Sequence, residues 1–250
     1  MRLSERFQHL SVIRTTCVAA AVAAAVSLSA GMAQAANVVV DFSQFTENEV
    51  LSGNTYNFGG VNITISTSDF NSKATGDALI CNTSGGLCTI NANDPDLASP
   101  FKNVNDLNAP GVDFGNALIL QEKASADGTP DNGPDDVYNG GKITFTFDRI
   151  VDLTRIFILD GGDNGDGTKL LLDNVLVAGV PNGFGGGDNQ YEVFDFGDNA
   201  FAQSLTVDFA GSGAVGQFGF SIVPVPASLP LLLTGLGAFA WVARRRRKTA

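Results

Sequence analysis

The sequence predicts an all-β fold, an antiparallel β-sandwich of jelly-roll type, on three observations. Apolar residues recur with a period of two at Val38, Val40 and Phe42, at Val61, Ile63 and Ile65, at Ile143, Phe145 and Phe147, at Leu205, Val207 and Phe209, and at Phe218, Phe220 and Ile222. That is the pattern of strands with one buried face. Between the runs lie turns rich in Gly, Asn and Asp, such as Gly161-Gly-Asp-Asn-Gly-Asp-Gly167 and Asn182-Gly-Phe-Gly-Gly-Gly-Asp188, residue types that accept positive φ. No stretch of residues 36 to 222 combines a sustained helical period with caps. About ten short strands joined by such turns indicate two packed antiparallel sheets rather than alternating βα units. Two further runs, Ile156 to Leu159 and Leu170 to Leu172 with Val175 to Val177, are apolar on both faces and predict central strands.

Taken in order, the first element stands outside that fold. Arg2, Arg6 and Arg14 form a basic leader, Thr15 to Ala30 an apolar stretch, and Ala33-Gln34-Ala35 a small-x-small cleavage site ahead of Ala36. Residues 1–35 therefore predict a signal peptide cut after Ala35. The apolar stretch is shorter than the roughly 20 residues a membrane span needs.

The two ends divide the charge unevenly. Of 15 Lys and Arg and 26 Asp and Glu, Arg2, Arg6, Arg14 and Glu5 precede the cut and five cations follow residue 243, so residues 36 to 223 keep 7 minus 25, a net charge of −18. A body this acidic repels nucleic acid and other polyanions and attracts divalent cations. The single histidine, His9, leaves with the leader, so the body holds no Ser-His-Asp or Cys-His arrangement. Its only Glu residues are Glu47, Glu49, Glu122 and Glu192. A carboxylate pair could run glycoside hydrolysis, but no Trp stands in the body and its tyrosines are Tyr56, Tyr138 and Tyr191, a thin set for a sugar-stacking wall. A non-catalytic protein is expected.

Cys17 leaves with the leader, and Cys81 and Cys88 remain, separated by Asn-Thr-Ser-Gly-Gly-Leu. In an exported chain an isolated even pair around a Gly-Gly turn predicts a disulfide. The competing reading, a metal or redox dithiol, meets the wrong spacing and finds no histidine to complete a zinc site.

The acids gather in loops. Asp94 and Asp96 flank Pro95, Asp127, Asp131, Asp135 and Asp136 fall in a Gly- and Pro-rich segment, and Asp160, Asp163 and Asp166 fall after a predicted central strand. Carboxylate and carbonyl oxygens on such loops are the ligands of a structural calcium ion. The third cluster places Asn164, Asp166, Gly167 and Asp173 as a helix-loop-helix calcium loop would, but Gly162 stands where that loop requires Asp. The alternative is that Asp and Asn here simply form turns, bonding their own backbone and accepting left-handed φ.

The C-terminal segment, residues 223 to 250, has three parts: Val223-Pro224-Val225-Pro226-Ala227, an apolar stretch to Ala243, and Arg244-Arg245-Arg246-Arg247-Lys248. The 21 residues from Val223 to Ala243 would reach about 31 Å as a helix, enough to cross a bilayer with the cations left on the cytoplasmic side. This segment resembles the PEP-CTERM sorting signals of exopolysaccharide-producing Gram-negative bacteria, in a variant with Val225 where the type pattern has Glu. The resemblance implies an exosortase-type membrane protease as processing partner, a transient inner-membrane anchor and a final place at the cell surface or outside the cell. In the body, Asn93-Asp-Pro-Asp-Leu97, Gly115-Asn-Ala-Leu-Ile-Leu-Gln121, Asp135-Asp136 ahead of Gly140-Gly-Lys-Ile-Thr-Phe-Thr-Phe147, and Phe209-Ala-Gly-Ser-Gly-Ala-Val215 resemble galactose-binding-like β-sandwich domains. That resemblance implies a jelly roll that often holds structural calcium and sometimes binds sugar. Two functions from different classes follow. One is a surface or matrix protein associated with exopolysaccharide or biofilm; the other is a secreted carbohydrate-binding module or carbohydrate-active enzyme.

Overall fold

The computed structural model describes residues 36–69, 74–86, 88, 95–122, 140–162 and 167–223. The strands are β1 (Asn37–Asp41), β2 (Thr55–Phe58), β3 (Val61–Ser68), β4 (Ala74–Asn82), β5 (Lys102–Asn103), β6 (Asn116–Glu122), β7 (Gly141–Leu159), β8 (Lys169–Leu172), β9 (Val175–Leu176), β10 (Gln190–Asp195), β11 (Phe201–Phe209) and β12 (Ala214–Ile222), with a single turn of 3₁₀-helix at Pro95–Leu97. All twelve strands belong to one sheet, and every pairing is antiparallel except that of β10 with β5. The all-β expectation holds.

β7 organises the sheet. Its first half, with Ile143, Phe145 and Phe147 buried, runs between β3 and β11; its second half runs between β12 and β10. The change of partners falls at Asp148-Arg149-Ile150, all exposed, where the ladder to β11 jumps from Ser204↔Thr146 to Ala202↔Val151. The inward phase holds through this change of partners and shifts beyond it, from Val151 and Leu153 to Ile156 and Ile158. Thr154 is the extra residue, because Arg155 faces Gly219 while Leu153 faces Phe220. Such a bulge bends and twists a strand. Gly219 is where it is accommodated, since a Cβ there would lie 2.7 Å from the Thr154 hydroxyl.

The bend closes the core. Along a straight strand Phe145 and Ile156 would stand about 36 Å apart, yet the ring of Phe218, the partner of Ile156, lies 4.7 Å from that of Phe145. The sheet therefore folds back over its own apolar face, packing Phe145 and Phe147 against Phe218 and Phe220. Each such ring contributes about 1.5–3 kcal/mol on burial. Val61, Ile63, Ile65, Leu205, Val207 and Phe209 join the same core, as their alternation predicts. A smaller cluster gathers Cys81, Cys88, Leu97, Phe101, Ile119 and Leu159.

One expectation is corrected. The run from Leu170 to Val177 is not central: β8 and β9 end the strand order beyond β11, with Val175 and Leu176 exposed. Asp173 and Asn174, at φ 48° and 66°, fold the run into a two-residue hairpin of the kind whose twist suits paired strands. Only Leu170 is fully buried.

Candidate functional site

The second half of β7 has two ends, about 25 Å apart at strand rise. One carries glycines and acids, the other the points where residues 36–223 connect to the rest of the chain.

At the glycine end, β7 leads into Asp160, buried and left-handed at φ 52°. Its N–H donates to the Gln190 carbonyl at 3.1 Å, and its carboxylate accepts from the Ser212 hydroxyl at 3.5 Å. The following residues pair backbone to backbone with a second glycine loop. Gly162 N–H donates to Gly186 O at 2.6 Å, Gly161 N–H to Gly185 O at 3.3 Å, and Thr168 N–H to Phe184 O at 2.9 Å, while the Thr168 hydroxyl donates to Gly161 O at 3.0 Å. Phe184 is fully buried beneath the crossing. Gly167 shows why glycine is required, since at φ 64° a Cβ there would meet the Gly183 Cα at 2.4 Å. Glu192 fixes the second loop by accepting from the Gly185 N–H at 3.1 Å. Asp96 is tied in through its carbonyl, which accepts from Asn189 N–H at 2.9 Å. Its own burial, and then the charge of Asp188, raise the Asp96 carboxyl above its ordinary value.

Of the predicted calcium ligands, Asp96 and Asp160 are thus placed on this end. Asp94, Asp135, Asp136, Asp163 and Asp166 lie outside the described residues. Sequence reasoning missed Asp188, Glu192 and Ser212, because only the chain crossing brings Asp188 to Asp96, Ser212 to Asp160 and Glu192 to Gly185. Among the described residues no group of three or more His, Cys, Asp or Glu is arranged to hold a metal. The turn-forming alternative has direct support, since every non-glycine residue recorded at positive φ is Asn or Asp: Asn48, Asp69, Asp160, Asp173, Asn174, Asn189 and Asn199. Several side chains also bond backbone two residues on, as Asp41 to Ser43, Asn103 to Asn105 and Asp113 to Gly115. The Ser84 hydroxyl and then the Gly115 N–H lower the Asp113 carboxyl, which makes it a loop clasp.

Cys81 and Cys88 are disulfide-bonded, with Cα atoms 5.4 Å apart and both side chains buried. The Cys88 N–H donates to Glu47 Oε1 at 2.9 Å, and Gly86 leaves the room that carboxylate occupies. Glu49 likewise accepts from the Thr46 N–H, so Glu47, Glu49 and Glu192 hold loops rather than standing as simple solvated charges. Arg155 pairs with Asp195 at 3.3 Å. Tyr56 packs edge-on against Phe45 and Tyr191 edge-on against Phe114, with the Phe157 ring tilted beside Tyr191; Tyr138 lies outside the described residues.

At the other end, β1 and β12 run antiparallel with Asn37 opposite Ser221, and Ile222 N–H donates to Ala36 O at 3.0 Å. The residue after the predicted signal cut and the residue before the predicted sorting motif are therefore neighbours. Ala36 and Val223 are the described members of those two motifs; Ala33, Ala35, Pro224, Val225, Pro226, Ala227, Arg244, Arg245, Arg246 and Arg247 lie outside. Among the described residues no helix is long and apolar enough to cross a membrane, and the apolar stretch to Ala243 lies beyond them. Across the ladder from Ile222 stand Val151 and then Ala202, and across from Ser221 stand Asp152 and then Phe201. No protein-family model, no curated protein and no solved structure matches this chain.

Proposed function

We propose that the chain is a non-catalytic exported protein, released by signal peptidase after Ala35, held briefly in the inner membrane by residues 223 to 243, and cut there by an exosortase-type protease for the cell surface or extracellular matrix. The observation that carries this reading is the order Val223-Pro-Val-Pro-Ala227, apolar stretch, Arg244 to Lys248, which joins a protease-accessible extended peptide to a membrane stop. The buried disulfide and the joint exit of Ala36 and Ile222 from one corner support it. The body is read as a β-sandwich of jelly-roll type, on the packing of the two halves of β7 and their partners across a shared aromatic core. Its role is structural, in association with exopolysaccharide or biofilm, and a calcium ion at the glycine and aspartate end is part of the same proposal.

Mass spectrometry of protein released at the surface of its native host is expected to find an N-terminus at Ala36 and a C-terminus between Val223 and Ala227. Recovery of surface protein that still ends in the Arg244 to Lys248 block would sink the sorting reading.

A further inference from the structure

The corner where Ala36 and Ile222 meet carries two large exposed apolar side chains that no packing in the body explains. Ile150 is 52% exposed and Phe201 50% exposed. Ile150 precedes Val151, which pairs with both Ile222 and Ala202, and Phe201 pairs with Asp152, itself opposite Ser221. Residues directly opposite on paired strands, and residues two apart on one strand, share a face. Ile150, Asp152, Phe201, Ser221 and Asn37 thus lie on the outer face of the last rungs before the chain leaves through Val223. Arg149 stands beside them, exposed and paired with Asp148 at 3.0 Å.

We propose that, while the tail is attached, this corner rests on the outer surface of the lipid bilayer, with Ile150 and Phe201 entering the headgroup region. The inference rests on reading residues 223 to 243 as the membrane span. Of the 21 residues from Val223 to Ala243, only the Pro-punctuated peptide Val223 to Ala227 precedes the apolar stretch, and even fully extended it spans no more than about 17 Å, so Ile222 stays close to the bilayer. The tether therefore holds this corner at the interface at an effective concentration on the order of millimolar or higher. A net charge of −18 repels the rest of the body from an anionic surface, so contact falls to the side chains nearest the tether. Two apolar residues are a marginal anchor by themselves, and the contact is lost when the tail is cut. Until then it presents the sorting peptide at bilayer level and turns the glycine and aspartate end outward.

The test uses the chain from Ala36 to Ala250 reconstituted in vesicles of phosphatidylethanolamine and phosphatidylglycerol. An environment-sensitive dye is attached to Ile150→Cys or to Phe201→Cys, each variant keeping the other apolar residue, with Val175→Cys, at a 70% exposed position on the sheet edge, as comparison. Trp241, the single tryptophan, stands two residues from the cytoplasmic end of the span and reports it through quenching by lipids brominated in the upper part of the acyl chains. The expected result is quenched Trp241, and dye emission at 150 and 201 that is blue-shifted and quenched by lipids spin-labelled near the headgroup, with neither change at 175. Quenched Trp241 with dye at 150 and 201 responding no more than at 175 overturns the surface contact and leaves the anchor standing. Unquenched Trp241 overturns the anchor, and the contact with it.

Discussion

The two ends of the second half of β7 are held by different means. At the chain-exit end, side chains do the holding: Phe147 and Phe220 pack at 5.5 Å and Phe145 and Phe218 at 4.7 Å, beneath the β1–β12 ladder. At the glycine end, backbone meets backbone, with Gly161 and Gly162 bonded to Gly185 and Gly186 and carboxylates closing the loops. One end should therefore fail when atoms are removed, and the other when a single methyl is added.

The largest effect is expected from Phe218→Ala, which empties a fully buried position between the two halves of β7. Truncating a core phenylalanine costs about 3–5 kcal/mol, so denaturant unfolding of the variant should show a midpoint far below the parent, or no folded baseline. A loss below about 1 kcal/mol would mean that the ring does not join the two halves.

A smaller effect is expected from Gly167→Ala, whose added Cβ would meet the Gly183 Cα at 2.4 Å. The control is Gly53→Ala, also left-handed at φ 79° but with nothing within 4 Å of its Cβ. The control carries the cost of placing alanine at positive φ, about 1 kcal/mol; Gly167→Ala adds overpacking of about 1–3 kcal/mol. Equal melting temperatures for the two variants would show that the close crossing of the loops is not what requires glycine.

These contrasts also explain what could be read from the sequence. The inward faces of β1, β3 and β11 and of the first half of β7 were legible, because a buried apolar face alternates with a more polar one, which writes period two into the residues. β12 is buried on both faces over most of its length and was legible because Gly219 separates Phe218 from Phe220. β4 and β6 were not, since Ala78 to Cys81 and Ala117 to Leu120 are buried on both faces and give no alternation. β10 failed for the opposite reason, being half-buried along nearly its whole length. The bulge of β7 has no Gly or Pro beside it in its own strand; Thr154 is made the extra residue by its partners on β12, where Gly219 leaves it room, which is a tertiary fact. β8 and β9 misled because apolar content on both faces normally means burial, whereas the Asp173-Asn174 hairpin sets Val175 and Leu176 at an edge. At the glycine end the loop composition was visible, but that Asp188 lies near Asp96 and Glu192 beneath Gly185 depends on which loops cross.

The smallest expected effect bears on whether the glycine end is only a set of turns. Burial and the charge of Asp188 raise the Asp96 carboxyl, so ionisation is less favourable in the folded chain than in the unfolded one. The sign is that of a raised acid: above the folded value the carboxylate lowers stability, and the penalty disappears as pH falls through that value toward the unfolded one, near 3.9. In calcium-free buffer at neutral pH, Asp96→Asn should therefore be slightly more stable than the parent. The gain is at most about 0.5 kcal/mol, because the group is largely solvated, and it should fade on acidification. If Asp96 helps to hold calcium, the sign reverses when calcium is added at matched ionic strength. The parent then gains RT ln(1 + [L]/Kd), about 2.7 kcal/mol at a hundred-fold excess over Kd, and the variant does not. Thermal melts of both proteins, with sodium chloride as the screening control, are expected to show that reversal. An Asp96→Asn variant that stays the more stable of the two in calcium would leave the aspartates of this end as turn formers.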